Sequence, residues 1–125
     1  MGRAITSIKF GLILLLALSV ACPSYVRAHA IVLASDPADG STTRPPRRLM
    51  LHFNSRVEKS LCSVSLTGPE PHHRARLRQA PSSSDDVLVY ALPDLAPGAY
   101  QVRWKVLAAD GHLTEGAVRF VVDGR

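Results

Sequence analysis

From residue 30 onward, apolar and polar positions alternate in short runs that are bounded by Pro, Gly, Ser and Asp. No window of this region places apolar residues at helical spacing, whereas alternation with a period of two is typical of half-buried strands. Seven strands are predicted, over residues 30–35, 49–53, 61–67, 74–78, 87–92, 99–107 and 115–122. Such short strands at this spacing predict an all-β, antiparallel Greek-key sandwich or barrel of the immunoglobulin-like type.

The strand predicted over residues 99–107 has the clearest inward face. That face consists of Tyr100, Val102, Trp104 and Val106. By the same alternation, the last strand should direct Val118, Phe120 and Val122 inward. We therefore expect Trp104 to be the central core residue and packing alone to hold the two sheets together.

The first 28 residues differ from the rest of the chain. Arg3 and Lys9 precede an apolar run, residues 10–21, which is too short to cross a bilayer comfortably. The sequence Val26-Arg27-Ala28 fits a signal peptidase site. We predict a signal peptide over residues 1–28, export to an oxidising compartment, and one β domain over residues 29–125 that begins at His29. The alternative is a lipoprotein cut before Cys22.

Removal of the signal would also change the charge and the cysteine content of the chain. The formal net charge of +5 falls to +2 once Arg3, Lys9 and Arg27 are gone. No basic patch interleaved with aromatic residues then remains, so nucleic-acid binding is not expected. The alternating residues Arg74, Arg76 and Arg78 predict one solvated strand face.

Without Cys22, Cys62 would be the one cysteine of the exported chain, which excludes an intramolecular disulfide. It shares a predicted strand face with Val64 and Leu66. This position predicts a buried and inert thiol, with a copper thiolate as the alternative.

The candidate metal ligands are His29, Asp110 and His112. A histidine in first position offers its amine and its imidazole, and Asp110 and His112 add a carboxylate and a second imidazole. We expect Asp110 and His112 to project to the same side, because side chains alternate along an extended chain. Three nitrogens and one oxygen suit the tetragonal coordination of copper(II), whereas zinc usually takes such ligands as a tetrahedron. One copper(II) ion is therefore predicted.

Three histidine-containing segments also have simpler interpretations. Asp110-Gly111 is a hairpin-turn signal, in which His112 would be an exposed loop residue. His52 lies on an outward strand position and is interpreted as solvated. His72-His73 lies in a Pro-rich loop, and is interpreted as solvated or as a weak second metal site.

Several segments, in order along residues 29–125, make the sequence similar to the CopC family of periplasmic copper-binding proteins. They are His29-Ala30, Leu33-Ala34-Ser35-Asp36-Pro37-Ala38-Asp39-Gly40, Leu51-His52-Phe53-Asn54, Pro97-Gly98-Ala99-Tyr100-Gln101-Val102-Arg103-Trp104, and Ala109-Asp110-Gly111-His112 with Gly116. The resemblance implies a seven-stranded Greek-key barrel that binds copper(II) through His29, Asp110 and His112. It also implies transfer of copper to an inner-membrane CopD-like importer.

The sequence departs from some family members at two places. The stretch around residues 69–81 lacks the methionines that bind copper(I) in those members, so thioether ligation of copper(I) is not expected. Ser55-Arg56 stands where some members carry an acidic residue.

The leading functional hypothesis is a monomeric periplasmic copper(II) carrier or buffer that is not an enzyme. The enzymatic alternative is a copper monooxygenase that holds copper between an N-terminal histidine and a second imidazole. In that case Asp110 would occupy the position where oxygen must bind. The third hypothesis is a metal-free β-sandwich interaction module.

Overall fold

A computed structural model describes residues 29–70 and 74–124, which form two β-sheets. Within these ranges no helix combines the length and the apolar character that a membrane span requires. The strands are β1 (Val32–Asp36), β2 (Ser41–Thr43), β3 (Arg48–Phe53), β4 (Ser63–Thr67), β5 (Arg74–Arg76), β6 (Arg78–Ala80), β7 (Val87–Ala91), β8 (Gly98–Leu107) and β9 (Leu113–Val122). The four-stranded sheet has the order β1-β3-β7-β6, and the five-stranded sheet has the order β2-β9-β8-β4-β5. The prediction of an all-β sandwich is confirmed.

The described residues form nine strands, two more than the seven predicted. One addition is β2, which pairs in parallel with β9, so the fold is not antiparallel throughout. The other arises because the strand predicted over residues 74–78 is two strands, β5 and β6, which belong to different sheets.

The break between β5 and β6 occurs at Leu77. Its N–H donates to the Val64 carbonyl at 2.9 Å, and its side chain is buried. The chain crosses from one sheet to the other at this point, so Arg78 pairs opposite Ala91 while Arg76 pairs opposite Ser65. The prediction of a single face formed by Arg74, Arg76 and Arg78 was therefore wrong.

The predicted inward residues of β8 and β9 lie in the core. Val102 and Val106 have no exposed surface, and Trp104 is 8% exposed. The Trp104 ring packs edge-on against Phe53, with 5.3 Å between the ring centroids. Gly116 lies against the same ring and leaves no room for a side chain, because a Cβ atom there would sit 2.3 Å from Trp104 Cζ2. The expectation that Trp104 belongs to the core is confirmed.

Cys62 is a buried free thiol, as predicted. Its Sγ donates to the Glu58 carbonyl at 3.1 Å. Burial raises the pKa of the Cys62 thiol, which disfavours the reactive thiolate. The geometry supports a structural role rather than ligation of a metal.

Candidate metal centre

Asp110 and His112 lie in the tight hairpin that joins β8 to β9. Leu107 and Leu113 form the last strand pair, and the turn is closed by two backbone hydrogen bonds of 3.0 Å, from Gly111 N–H to the Ala108 carbonyl and from Ala108 N–H to the His112 carbonyl. Gly111 has φ of +84°, in the left-handed region that favours glycine. This is the common three-residue hairpin, a turn followed by a glycine bulge. The interpretation of Asp110-Gly111 as a hairpin signal is confirmed.

The turn brings the Asp110 carboxylate into contact with His112. Asp110 Oδ1 accepts the His112 backbone N–H at 3.0 Å, and Asp110 Oδ2 lies 3.2 Å from His112 Nδ1. The backbone hydrogen bond lowers the pKa of Asp110, and the neighbouring His112 and His29 side chains act in the same direction. The two side chains thus meet because the chain turns at Gly111, and not because of alternation along an extended chain.

His29 lies beside the hairpin, although it precedes the edge strand of the opposite sheet. The centroids of the His29 and His112 rings are 5.9 Å apart, and the rings are inclined by 66°. His29 itself is exposed, but the next residue, Ala30, is buried and anchors the segment to the core. The fold therefore brings His29, Asp110 and His112 to one end of the sandwich.

Asn54 holds the segment that carries His29. Its Oδ1 accepts the Ile31 N–H at 2.8 Å, its Nδ2 donates to the His29 carbonyl at 3.2 Å, and its own N–H donates to the Ile31 carbonyl at 2.9 Å. No role for this residue was predicted, because a lone amide after a strand has no chemical signature. The only signal was its place in the segment Leu51-His52-Phe53-Asn54.

The three residues do not form a finished metal cluster. Within residues 29–70 and 74–124, no group of three or more His, Cys, Asp or Glu side chains is arranged to hold a metal ion. His112 Nδ1 faces Asp110, and the nitrogen of His29 is a peptide amide in the full 125-residue chain. The donor types nevertheless fit copper(II), with two imidazoles and an oxygen side by side.

His52, which was interpreted as a solvated strand residue, contacts a carboxylate. Its Nε2 lies 3.1 Å from Asp86 Oδ2, and Asp86 also accepts the Ser84 hydroxyl. The Ser84 hydrogen bond is the largest cause of the lowered pKa of Asp86. This pair is a surface contact between β3 and the residue that precedes β7. His72 and His73 lie outside the described residues.

Known proteins resemble this chain in both sequence and structure. The family model of the CopC domain matches residues 32–123. Protein YobA from Escherichia coli (strain K12) is 33% identical over 125 residues, covering 98% of this chain and 99% of the relative. Copper resistance protein C from Pseudomonas syringae pv. tomato is 28% identical over 104 residues, covering 77% of this chain and 82% of the relative.

The crystal structure of CopC from Methylosinus trichosporium OB3b has a TM-score of 0.67 and 26% sequence identity, and the match covers 76% of this chain and 94% of that chain. The family match spans β1 to β9 and the hairpin with Asp110 and His112, and begins three residues after His29. The resemblance predicted from the sequence is thereby confirmed, and the chain belongs to the CopC family.

Proposed function

We propose that the protein is a periplasmic copper(II) carrier that holds one ion between His29, Asp110 and His112. The proposal rests on one observation: the rings of His29 and His112, which are remote in sequence, lie 5.9 Å apart beside a carboxylate. The relative named copper resistance protein C supports copper as the cargo. Membership of the CopC family agrees with a carrier that is not an enzyme.

Together the three residues would contribute three nitrogen donors and one oxygen donor. His29 would supply its amine and imidazole after the signal is cut, and His112 would supply its imidazole. Asp110 Oδ1 accepts the His112 backbone N–H and Oδ2 lies 3.2 Å from His112 Nδ1, so Oδ2 would bind the ion in place of that contact. The lowered pKa keeps this carboxylate charged, and so available to a cation, to a lower pH than usual. Transfer to an inner-membrane CopD-like importer, by a monomer, completes the proposal and rests on the family.

Asp110→Ala and His112→Ala should each weaken copper(II) binding by at least about 10- to 100-fold. Loss of a group that merely supports a ligand already has an effect of that size, and these residues are proposed as direct ligands. Competition against a copper(II) chelator measures the affinity, and electron paramagnetic resonance reports whether the nitrogen-rich coordination is lost.

His52→Ala is the matched control for these variants. It removes an imidazole whose partner is Asp86 and not one of the proposed ligands, and should leave copper(II) binding unchanged. Unchanged affinity in His112→Ala would remove that residue from the site. An equal loss in His52→Ala would show that the loss of affinity is not specific to the proposed ligands.

Asn54→Ala should weaken copper(II) binding by about 10- to 100-fold, although Asn54 is not a proposed ligand. The substitution removes both side-chain hydrogen bonds that fix the segment from His29 to Ile31. Groups that orient a metal ligand commonly have effects of this size. The same chelator competition measures the change.

Tyr100→Phe is the control for a general loss of stability. It removes the hydrogen bond from the Tyr100 hydroxyl to the Ala96 carbonyl, near the start of β8 and away from the hairpin. Tyr100→Phe should be destabilised thermally about as much as Asn54→Ala. Its copper(II) affinity should nevertheless equal that of the parent protein. If both variants bind as tightly as the parent, Asn54 has no positioning role.

A further inference from the structure

Five basic side chains lie on the outward face of the five-stranded sheet. We call this surface the basic face, and its cations are Arg74, Arg76, Arg103, Lys105 and Arg119. All five are exposed, and they belong to β5, β8 and β9, while β4 contributes Ser63 and Ser65 between them. Glu115 is the one carboxylate among the residues that line this shallow surface.

The strand register sets the spacing of these cations. Arg76 and Arg103 both pair with Ser65, from opposite sides of β4. Their Cα atoms are therefore about 10 Å apart, since adjacent strands are separated by about 4.8 Å. Lys105 pairs with Glu115 by register, two positions from Arg103 along the same strand. No ion pair joins Arg76, Arg103 or Lys105 to a carboxylate anywhere in the described parts of the chain.

The charge of the domain is unevenly distributed. The basic face carries five cations and one carboxylate, whereas the remainder of residues 29–125 carries seven cations and nine carboxylates. The register places Arg103 diagonal to Arg119 on the neighbouring strand, and like charges so close together do not stabilise a sheet, so the fold alone gives no reason for this clustering. The arrangement instead creates a positive potential on one side of a molecule that is otherwise net negative.

We propose that the basic face docks the protein on the surface of an anionic phospholipid bilayer. The face is an open sheet surface, which allows all five cations to approach a flat layer of phosphates together. No large apolar or aromatic side chain is exposed among its lining residues. A docking site for a protein usually offers such a side chain as an anchor, and a site for single-stranded nucleic acid offers rings on which the bases stack. Each Lys or Arg close to such a membrane strengthens binding by about fivefold.

Docking in this way would also orient the hairpin. Lys105 and Glu115 are two residues from the last strand pair, Leu107 and Leu113, so the basic face ends about 7 Å from the turn that carries Asp110 and His112. The turn would then lie beside the membrane surface and not on the far side of the molecule. The membrane proposal does not depend on whether those residues bind copper.

Vesicle binding of the exported, processed protein tests the proposal. The precursor is unsuitable, because its apolar residues 10–21 could insert into lipid. The protein should co-sediment with vesicles of phosphatidylcholine and phosphatidylglycerol but not with phosphatidylcholine alone. Binding should weaken between about 0.01 M and about 0.1 M salt, as the Debye length falls from about 30 Å to about 10 Å.

Two double variants of equal charge separate the basic face from the net charge. Arg76→Gln with Arg103→Gln, which flank Ser65, should weaken binding to the anionic vesicles roughly 25-fold, about fivefold for each cation. The control is Arg48→Gln with Arg78→Gln, since these two arginines flank Ala91 on the other sheet. This variant should change binding to the anionic vesicles less than about threefold, which is the residual effect of net charge. Equal losses in the two variants, equal binding to neutral vesicles, or no binding to anionic vesicles at low salt would each overturn the proposal.

Discussion

One extra residue in front of His29 should lower the copper(II) affinity of a protein that begins at His29 at least about 100-fold. The extension keeps every side chain of the site but converts the α-amine into an amide. A free α-amine has a pKa of about 7.7 to 8.0 and gives up its proton readily to a strongly bound cation at neutral pH, whereas an amide holds its proton far more strongly. Asn54 holds the carbonyl of His29 and not its nitrogen, so the extension leaves the described hydrogen bonds intact.

The natural comparison is the same preparation before and after removal of the extra residue. Copper(II) affinity should recover on trimming, and the intact mass of the exported protein should correspond to a start at His29. Equal affinities before and after trimming would limit His29 to binding by its ring. A mature start at another residue, including lipidated Cys22, would remove the basis of the amine ligand.

Gly116→Ala should lower the free energy of unfolding by about 2 to 3 kcal/mol, at the upper end of the usual effect of overpacking a core. The new Cβ would lie 2.3 Å from Trp104 Cζ2 and 2.7 Å from Trp104 Cε2, closer than real contacts allow. The indole cannot easily retreat, since it is buried and packed against Phe53. The midpoint of thermal unfolding, measured by circular dichroism, should fall by roughly 10 to 20 °C.

Two further variants show whether crowding of the indole is the cause. Trp104→Phe removes the ring atoms that would collide with the new Cβ at position 116. The double variant, Gly116→Ala with Trp104→Phe, should therefore be more stable than the sum of the two single effects predicts. Gly40→Ala meets no atom within 4 Å but has φ of +77°, so it measures backbone strain alone, at about 1 kcal/mol. The crowding explanation fails if Gly116→Ala costs no more than Gly40→Ala, or if Trp104→Phe gives no relief.

The sequence predicted the long strands better than the short ones, for a physical reason. β8 is recognisable because its inward residues alternate over ten positions, a pattern that needs no knowledge of its neighbours. β2 consists of three polar residues and exists through its parallel pairing with β9, which is remote in sequence. The change of sheet at Leu77 leaves the local alternation intact, so periodicity could not reveal it.

The candidate site, too, was predictable where its residues are close in sequence and not where they are remote. Asp110 and His112 are only two positions apart in sequence, and the expectation that they meet is confirmed, although the tight turn is the cause. The role of Asn54 depends on contacts across two strands. The basic face depends on the register of β5, β8 and β9, which brings together cations that are far apart along the chain.

The edge position of β1 has a consequence for the speed of ion exchange. Among the described strands β1 pairs with β3 alone, and His29 lies three residues before its first residue. Edge segments open locally at a lower free energy than the core. Fraying of β1 would carry His29 away from the hairpin while leaving the interior folded. The lifetime of an ion held there would then follow the opening of one strand, and release would not require the protein to unfold.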